Sequence, residues 1–371
     1  MVEAKSGLAS NVQSRDLTAL PVGTVVSRYR ITAVLGRGGF GITYRAQDTK
    51  LNREVALKEY LPVPLAVRHD GTEVLANSTQ SAEDFELGRQ RFLEEGRTLA
   101  GLHRAPAIVQ VHDFLEANGT AYIVMELVAG STLEARLKER GPLSAGEVER
   151  IVWPLLDGLE RVHDTGFLHR DIKPANIIVG PKGEPTLIDF GASRAAMAAR
   201  TASLTAVFTP GYAAVEQFTS ARQGPWTDIY GLAATLYRAI TSEGPPNAVE
   251  RVLEDAIVPL AKRQPGSFSR HLLAGIDAGL AVRAGDRPQS VALWRSMLQA
   301  APAVDGEDTV LRPAGAANPA RPSSSPSRDK ESRTAQADLR TKLDDFPLER
   351  VIILGAVISL VVAIVLAQYL R

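Results

Sequence analysis

Two short apolar runs, "NIIV" at 176–179 and "TLIDF" at 186–190, each carry one polar residue that an ordinary buried strand would not choose: Asn176 opens the first and Asp189 lies within the second. A carboxylate or amide placed against an apolar strand costs free energy unless it has a partner or a task. The preceding stretch, "LHRDIKPA", adds His169, Arg170, Asp171 and Lys173. Read together, H-R-D-x-K-x-x-N and then D-F-G put one carboxylate, Asp171, near an incoming hydroxyl. They also supply Asn176 and Asp189 as two oxygen ligands for hard cations that keep phosphate oxygens in their shell. No other feature of the chain restricts its fold so strongly.

Upstream, "LGRGGFGITYRA" places Gly36, Gly38 and Gly41 in G-x-G-x-x-G spacing, with Gly39 and Phe40 between them. Dinucleotide-binding folds share that spacing, but there the third glycine opens a helix. Here "GITYRAQD" is β-prone, a polar turn "TKLNR" follows, and "EVALKEY" reads as a further strand. The order is strand, glycine hairpin, strand, turn, strand. Glycine backbone can approach phosphate oxygens closely and aim N–H groups at them. Lys58 stands in the apolar strand "VALKEY", where its charge needs a carboxylate. The following helical segment, "DFELGRQRFLEEGRTLAGLH", offers Glu94 and Glu95. Glu95 is the choice, because Leu99 lies one turn on along the same face.

The 371 residues, 45% of them hydrophobic, can fill a sizeable core. Lys plus Arg and Asp plus Glu both total 42, so net charge gives no support to a nucleic-acid partner. The absence of cysteine excludes disulfides, thiolate metal sites and a cysteine nucleophile. Residues 1–27 read as a flexible N-terminal arm. A continuous globular block runs over 28–300, and 301–350, rich in Pro, Ala, Ser and charge, reads as a disordered linker. Residues 351–370, "VIILGAVISLVVAIVLAQYL", have the length and apolarity of a single transmembrane helix. Gly355, Ser359, Ala363 and Ala367 form a small-residue stripe on which two such helices could pack as a homodimer.

The block from Arg28 to Ala300, about three quarters of the chain, resembles the eukaryotic-like, Hanks-type serine/threonine protein kinases of bacteria. The resemblance implies an α+β, two-lobed fold: a β-rich lobe over about 28–125, a helical lobe over about 129–300, and ATP with Mg²⁺, or Mn²⁺, between them. It implies that Gly36, Gly38, Gly39, Phe40 and Gly41 cover the phosphates and that Lys58 holds them while pairing with Glu95. The hinge would follow Met125, with Glu126 and Val128 contacting the nucleotide. Asp171 would be the catalytic base, Lys173 would contact the γ-phosphate, and Asn176 with Asp189 would bind the metal. Thr201, Ser203 and Thr205 would be activation-loop phosphorylation sites, and Thr209 part of the substrate platform. Glu216 would pair with Arg287, and Asp228 would brace the catalytic loop. Protein substrates are the implied partners, with the kinase block in the cytoplasm and the tail in the inner membrane.

Three departures from the family pattern stand out. Thr43 replaces the usual valine over the adenine, and "AVE" replaces A-P-E. A long stretch, "YLPVPLAVRHDGTEVLANSTQSAEDFE", separates Lys58 from the helix bearing Glu95. A catalytically weak, kinase-like membrane scaffold is the rival reading. It predicts loss of Lys58, Asp171 or Asp189, and all three are present.

Overall fold

The structure is a computed structural model that describes residues 18–102, 105–191, 209–263 and 266–299. The chain separates into two units, 1–304 and 305–371, and every described residue belongs to the first. Thr201, Ser203, Thr205, the 301–350 linker and the 351–370 segment lie outside the described residues. No helix among the described residues is long and apolar enough to cross a membrane.

The first lobe is built on β1 (Val25–Val26), β2 (Tyr29–Gly38), β3 (Gly41–Asp48) and β4 (Arg53–Tyr60). A small hairpin, β5 (Ala66–His69) and β6 (Glu73–Ala76), precedes helix α1 (Thr79–Gly101), and β7 (Val111–Ala117) and β8 (Thr120–Glu126) complete the lobe. The large sheet runs β1-β2-β3-β4-β8-β7, with every pairing antiparallel. Period-two alternation along β4 sends Lys58 and Tyr60 to one face and Leu57 and Glu59 to the other. Helix α1 starts where the Ser78 hydroxyl accepts the Ser81 N–H at 3.1 Å. It buries Phe85, Phe92, Glu95 and Leu99.

The second lobe follows with β9 (Ser131–Thr132), α2 (Leu133–Arg140), α3 (Ala145–Asp164), β10 (Ile177–Val179) and β11 (Pro185–Leu187). It continues through α4 (Pro225–Thr241), α5 (Ala248–Leu253), α6 (Leu260–Arg263), α7 (Arg270–Gly279) and α8 (Val291–Gln299). Its centre is α4, which buries 13 of 17 residues and so has no solvent face to keep polar. Strands β10 and β11 form the hairpin whose open end carries Asn176, just before β10, and Asp189, just past β11. The architecture is the two-lobed arrangement of a β-rich and a helical half.

One expectation needs correction. Residues 18–27 are not a loose arm: Ala19, Leu20 and Val26 are buried, and β1 pairs with β2. Pairing with β2 takes Val26 out of water, and the Leu20 N–H is held by the Tyr44 hydroxyl at 3.1 Å. The stretch after Lys58 also has structure of its own. Asp70 and Gly71, at φ +47° and +79°, make the tight turn of β5–β6, a conformation that Asp-Gly adopts readily. The hairpin is tied back by Val74 N–H to the Asn118 carbonyl at 2.8 Å.

Candidate active site

The loop between α3 and β10 is held by one buried carboxylate. Asp228 Oδ1 accepts the Arg170 N–H at 2.7 Å, and its Oδ2 accepts the His169 N–H at 2.8 Å and faces His163 Nε2 at 2.8 Å. Burial works to raise the Asp228 pKa, but hydrogen bonding to His163, the two nearby imidazoles and the Arg170 N–H outweigh it and hold the carboxyl below its ordinary value. Gln217 Nε2 donates to the Arg170 carbonyl at 2.9 Å. These contacts hold Arg170 at φ +64°, in the left-handed region that a side-chain-bearing residue adopts only under constraint. Asp189 sits at φ +59°, clamped on both sides: Ile188 N–H reaches the Asn176 carbonyl at 2.9 Å, and Gly191 N–H reaches the His169 carbonyl at 2.8 Å. His169 Nδ1 accepts the Asp171 N–H at 3.2 Å while Nε2 faces the Ile188 carbonyl at 3.1 Å. Burial lowers its pKa, in keeping with a neutral imidazole that carries its proton on Nε2.

Those clamps bring the polar residues of the two strand runs together. Asn176 Nδ2 donates to Asp171 Oδ2 at 2.6 Å and to the Asp171 carbonyl at 2.8 Å. Lys173 Nζ lies 3.2 Å from Asp171 Oδ1 and donates to Thr209 Oγ1 at 2.8 Å, so the lysine links the carboxylate to the residue read as substrate platform.

From the roof of the cleft, Lys58 Nζ reaches Glu95 Oε1 at 3.4 Å and Asp189 Oδ1 at 3.2 Å. Glu94, the other candidate, instead pairs with Arg91 at 2.8 Å on the exposed side of α1. The glycine loop closes β2 on β3 with Gly38 opposite Gly41. Gly41 is obligatory there, because a Cβ would lie 2.0 Å from the Glu59 carbonyl oxygen.

Two adjoining cavities share Gly36, Thr43, Ala175 and Asp189. One, of about 290 Å³, lies under Gly36, Gly38, Phe40 and Gly41 and is lined by Lys58, Lys173 and Asn176. The other, of about 630 Å³, is walled by Ala56, Val109, Ile178 and Ile188 and edged by Met125, Glu126 and Val128. An apolar slot opening onto a cationic, glycine-covered chamber fits a flat heterocycle carrying a polyphosphate. The donor set also fits Mg²⁺. With its amide nitrogen committed to Asp171, Asn176 has its carbonyl oxygen to offer beside the Asp189 carboxylate, and hard oxygen ligands are what that ion takes. The described residues contain no cluster of three acidic or histidine ligands, so phosphate oxygens and water would complete the shell.

Farther out, Arg287 grips Glu216 with Nη1 to Oε1 at 2.8 Å and Nη2 to Oε2 at 2.7 Å, both side chains buried. The sequence reading missed His163 and Gln217, whose partners are set by folding, and Tyr60 and Gly88, which seat α1 against β4. A glycine inside a helical pattern was the available sign for Gly88.

Residues 29–262 match the family model described as the protein kinase domain. The chain belongs to the protein kinase family. It is 34% identical over 273 residues to the serine/threonine-protein kinase PknD of Mycobacterium tuberculosis, covering 72% of this chain and 38% of that protein. It is 32% identical over 268 residues to the serine/threonine-protein kinase PknE of Mycobacterium bovis, covering 72% of this chain and 44% of that one. The chain therefore spans well under half the length of these relatives. Among solved structures, the apo form of PpkA-294 superimposes with a TM-score of 0.69 at 37% identity, over 76% of this chain and 100% of that one. In the kinase domain of this chain, the residues brought together in the cleft come from every motif that carried the resemblance.

Proposed function

We propose that the chain is a serine/threonine protein kinase that transfers the γ-phosphoryl group of ATP to serine and threonine hydroxyls of proteins. The observation that carries this reading is the continuous contact Thr209–Lys173–Asp171–Asn176, placed opposite Lys58 across the glycine-covered chamber. Asp171 accepts the hydrogen bond of the incoming hydroxyl. As that oxygen bonds to the γ-phosphorus, the bond from phosphorus to the β,γ-bridging oxygen breaks, ADP leaves with the electron pair, and the hydroxyl proton passes to Asp171. Lys173 offsets charge gathering on the transferred group, and Lys58, oriented by Glu95, holds the α- and β-phosphates. Mg²⁺ held by Asn176 and Asp189 would neutralise charge on the phosphate oxygens.

Autophosphorylation at Thr201, Ser203 or Thr205 belongs to the same proposal, as does tethering of the kinase to the inner membrane by residues 351–370, which are apolar over a membrane's thickness. Gly355, Ser359, Ala363 and Ala367 support pairing of two such tails. The test is phosphate transfer by the detergent-solubilised full-length chain with ATP and Mg²⁺, against Asp171→Asn, followed by mass mapping. A loss of about 10²-fold or more in the variant, with phosphate found on serine or threonine, is the expected result. Equal incorporation by the two proteins would overturn the assignment.

A further inference from the structure

The outer face of the six-stranded sheet, away from the cleft, holds a carboxylate with no part in the chemistry above. Glu59 follows Lys58 on β4, points to the opposite face, and is 0% exposed. Its Oε2 accepts hydrogen bonds from Arg68 Nη2 and, at 2.7 Å, from the Tyr44 hydroxyl; its Oε1 accepts the Tyr122 hydroxyl at 2.7 Å. Arg68 comes from β5, in the hairpin inserted between Lys58 and α1, and its side chain is 1% exposed. Its other donors reach the carbonyls of Thr18 at 2.9 Å and Thr72 at 2.7 Å. The Tyr44 hydroxyl in turn accepts the Leu20 N–H at 3.1 Å. One guanidinium thus joins the N-terminal strap, the inserted hairpin and the strand that carries Lys58.

Apolar residues would cover this face at lower desolvation cost, because an enclosed ion pair contributes little net stability over a well-packed apolar pair. What the pair adds is a defined position for the end of β4. The Glu59 carbonyl is the group that Gly41 of the glycine loop packs against. Tyr60, the next residue, fills a notch in α1 where a Cβ on Gly88 would lie 2.0 Å from its hydroxyl. Its ring stands 5.3 Å from Phe85 and 5.6 Å from Phe92, one turn before Glu95. Three consecutive residues therefore face the nucleotide chamber, the brace and the helix.

We propose that Arg68 is a positioning residue: from within the insertion it holds Glu59, and through β4 it keeps the Lys58–Glu95 pair and the glycine loop in the nucleotide-binding arrangement. This rests on the reading of Lys58 as a phosphate-binding residue. It makes the seat of α1 a property of the chain's own insertion and strap.

The experiment compares wild type, Arg68→Lys, Arg68→Ala and the double variant Glu59→Leu/Arg68→Met as full-length chains. It measures amide exchange, ATP binding in Mg²⁺, and kcat with KM for ATP. Under the proposal, exchange in β4 and α1 rises about tenfold in the Arg68 variants while the interior of α4 keeps its wild-type rate. KM for ATP rises about fivefold or more. The double variant recovers thermal stability without recovering ATP affinity. A merely structural pair predicts the opposite: α1 and α4 loosen together, KM stays at the wild-type value in every variant, and the double variant regains stability. Wild-type α1 exchange with wild-type KM in Arg68→Lys overturns the proposal, and that variant with the double variant decides the matter if Arg68→Ala does not fold. Should wild type neither bind ATP nor transfer phosphate, the functional reading fails, while the α1-against-α4 exchange comparison still decides whether the brace exists.

Discussion

Replacing Arg287 by alanine removes five hydrogen bonds at once. Two run to Glu216, at 2.7 and 2.8 Å, and three to the carbonyls of Trp226, Ala281 and Val282, at 2.9, 2.8 and 3.1 Å. What remains is a Glu216 carboxylate only 2% exposed, with the Thr227 hydroxyl at 2.8 Å. Breaking a buried pair from one side costs about 3–5 kcal/mol, because the surviving charge is left without its counter-ion. For a domain of this size that corresponds to a melting point lower by roughly 10 °C. Glu216→Gln is the instructive comparison, since there the surviving charge is the guanidinium, which keeps three carbonyls and an amide oxygen. Its cost should be nearer the worth of one charged hydrogen bond, about 2 kcal/mol. Urea unfolding followed by the fluorescence of the three tryptophans measures both. If Arg287→Ala stays within about 1 kcal/mol of wild type, or costs less than Glu216→Gln, the desolvation reasoning is wrong.

Gly88→Ala would set a Cβ 2.0 Å from the Tyr60 hydroxyl and 2.9 Å from the ring carbon bearing it, and should cost about 1–3 kcal/mol by overpacking. Tyr60→Phe in the same chain should return part of that loss, since the hydroxyl is buried without a hydrogen-bond partner; thermal melts of the two variants against wild type check it. Asp228→Asn should destabilise most at neutral pH. A carboxyl whose folded pKa lies below its ordinary value of 3.8 contributes stability above that pH and loses it as pH falls further, so the gap between wild type and variant should narrow below pH ~4. A gap that widens with acid in pH-resolved urea titrations would contradict the sign.

What could be read from the chain before folding, and what could not, follows from where each constraint resides. Asp171 is picked out by its spacing to Asn176 and Asp189, which stand out because each conflicts with its surroundings: a polar residue in or beside an apolar strand has to be doing something other than packing. Lys58 stood out for the same reason, and helical phase alone selected Glu95 over Glu94, whose side chain pairs with Arg91. Glu59 carried no such signal. In "VALKEY" it reads as the outward, solvated member of an alternating strand, and nothing local says that this face is covered. The cover comes from two segments, residues 18–20 and the β5–β6 hairpin, whose own signs were weak. The Asp-Gly turn at Asp70–Gly71 could have been recognised, since both residues need positive φ. Turn chemistry can announce a hairpin, but it does not say which sheet the hairpin will cover or with which face. Gly88 is intermediate: it costs about 1 kcal/mol against alanine inside a helix, a conflict that points to a close approach, yet its partner Tyr60 becomes known only when β4 and α1 are packed. Local conflict with propensity therefore marks where tertiary contacts act, and the identity of the contact has to come from the fold.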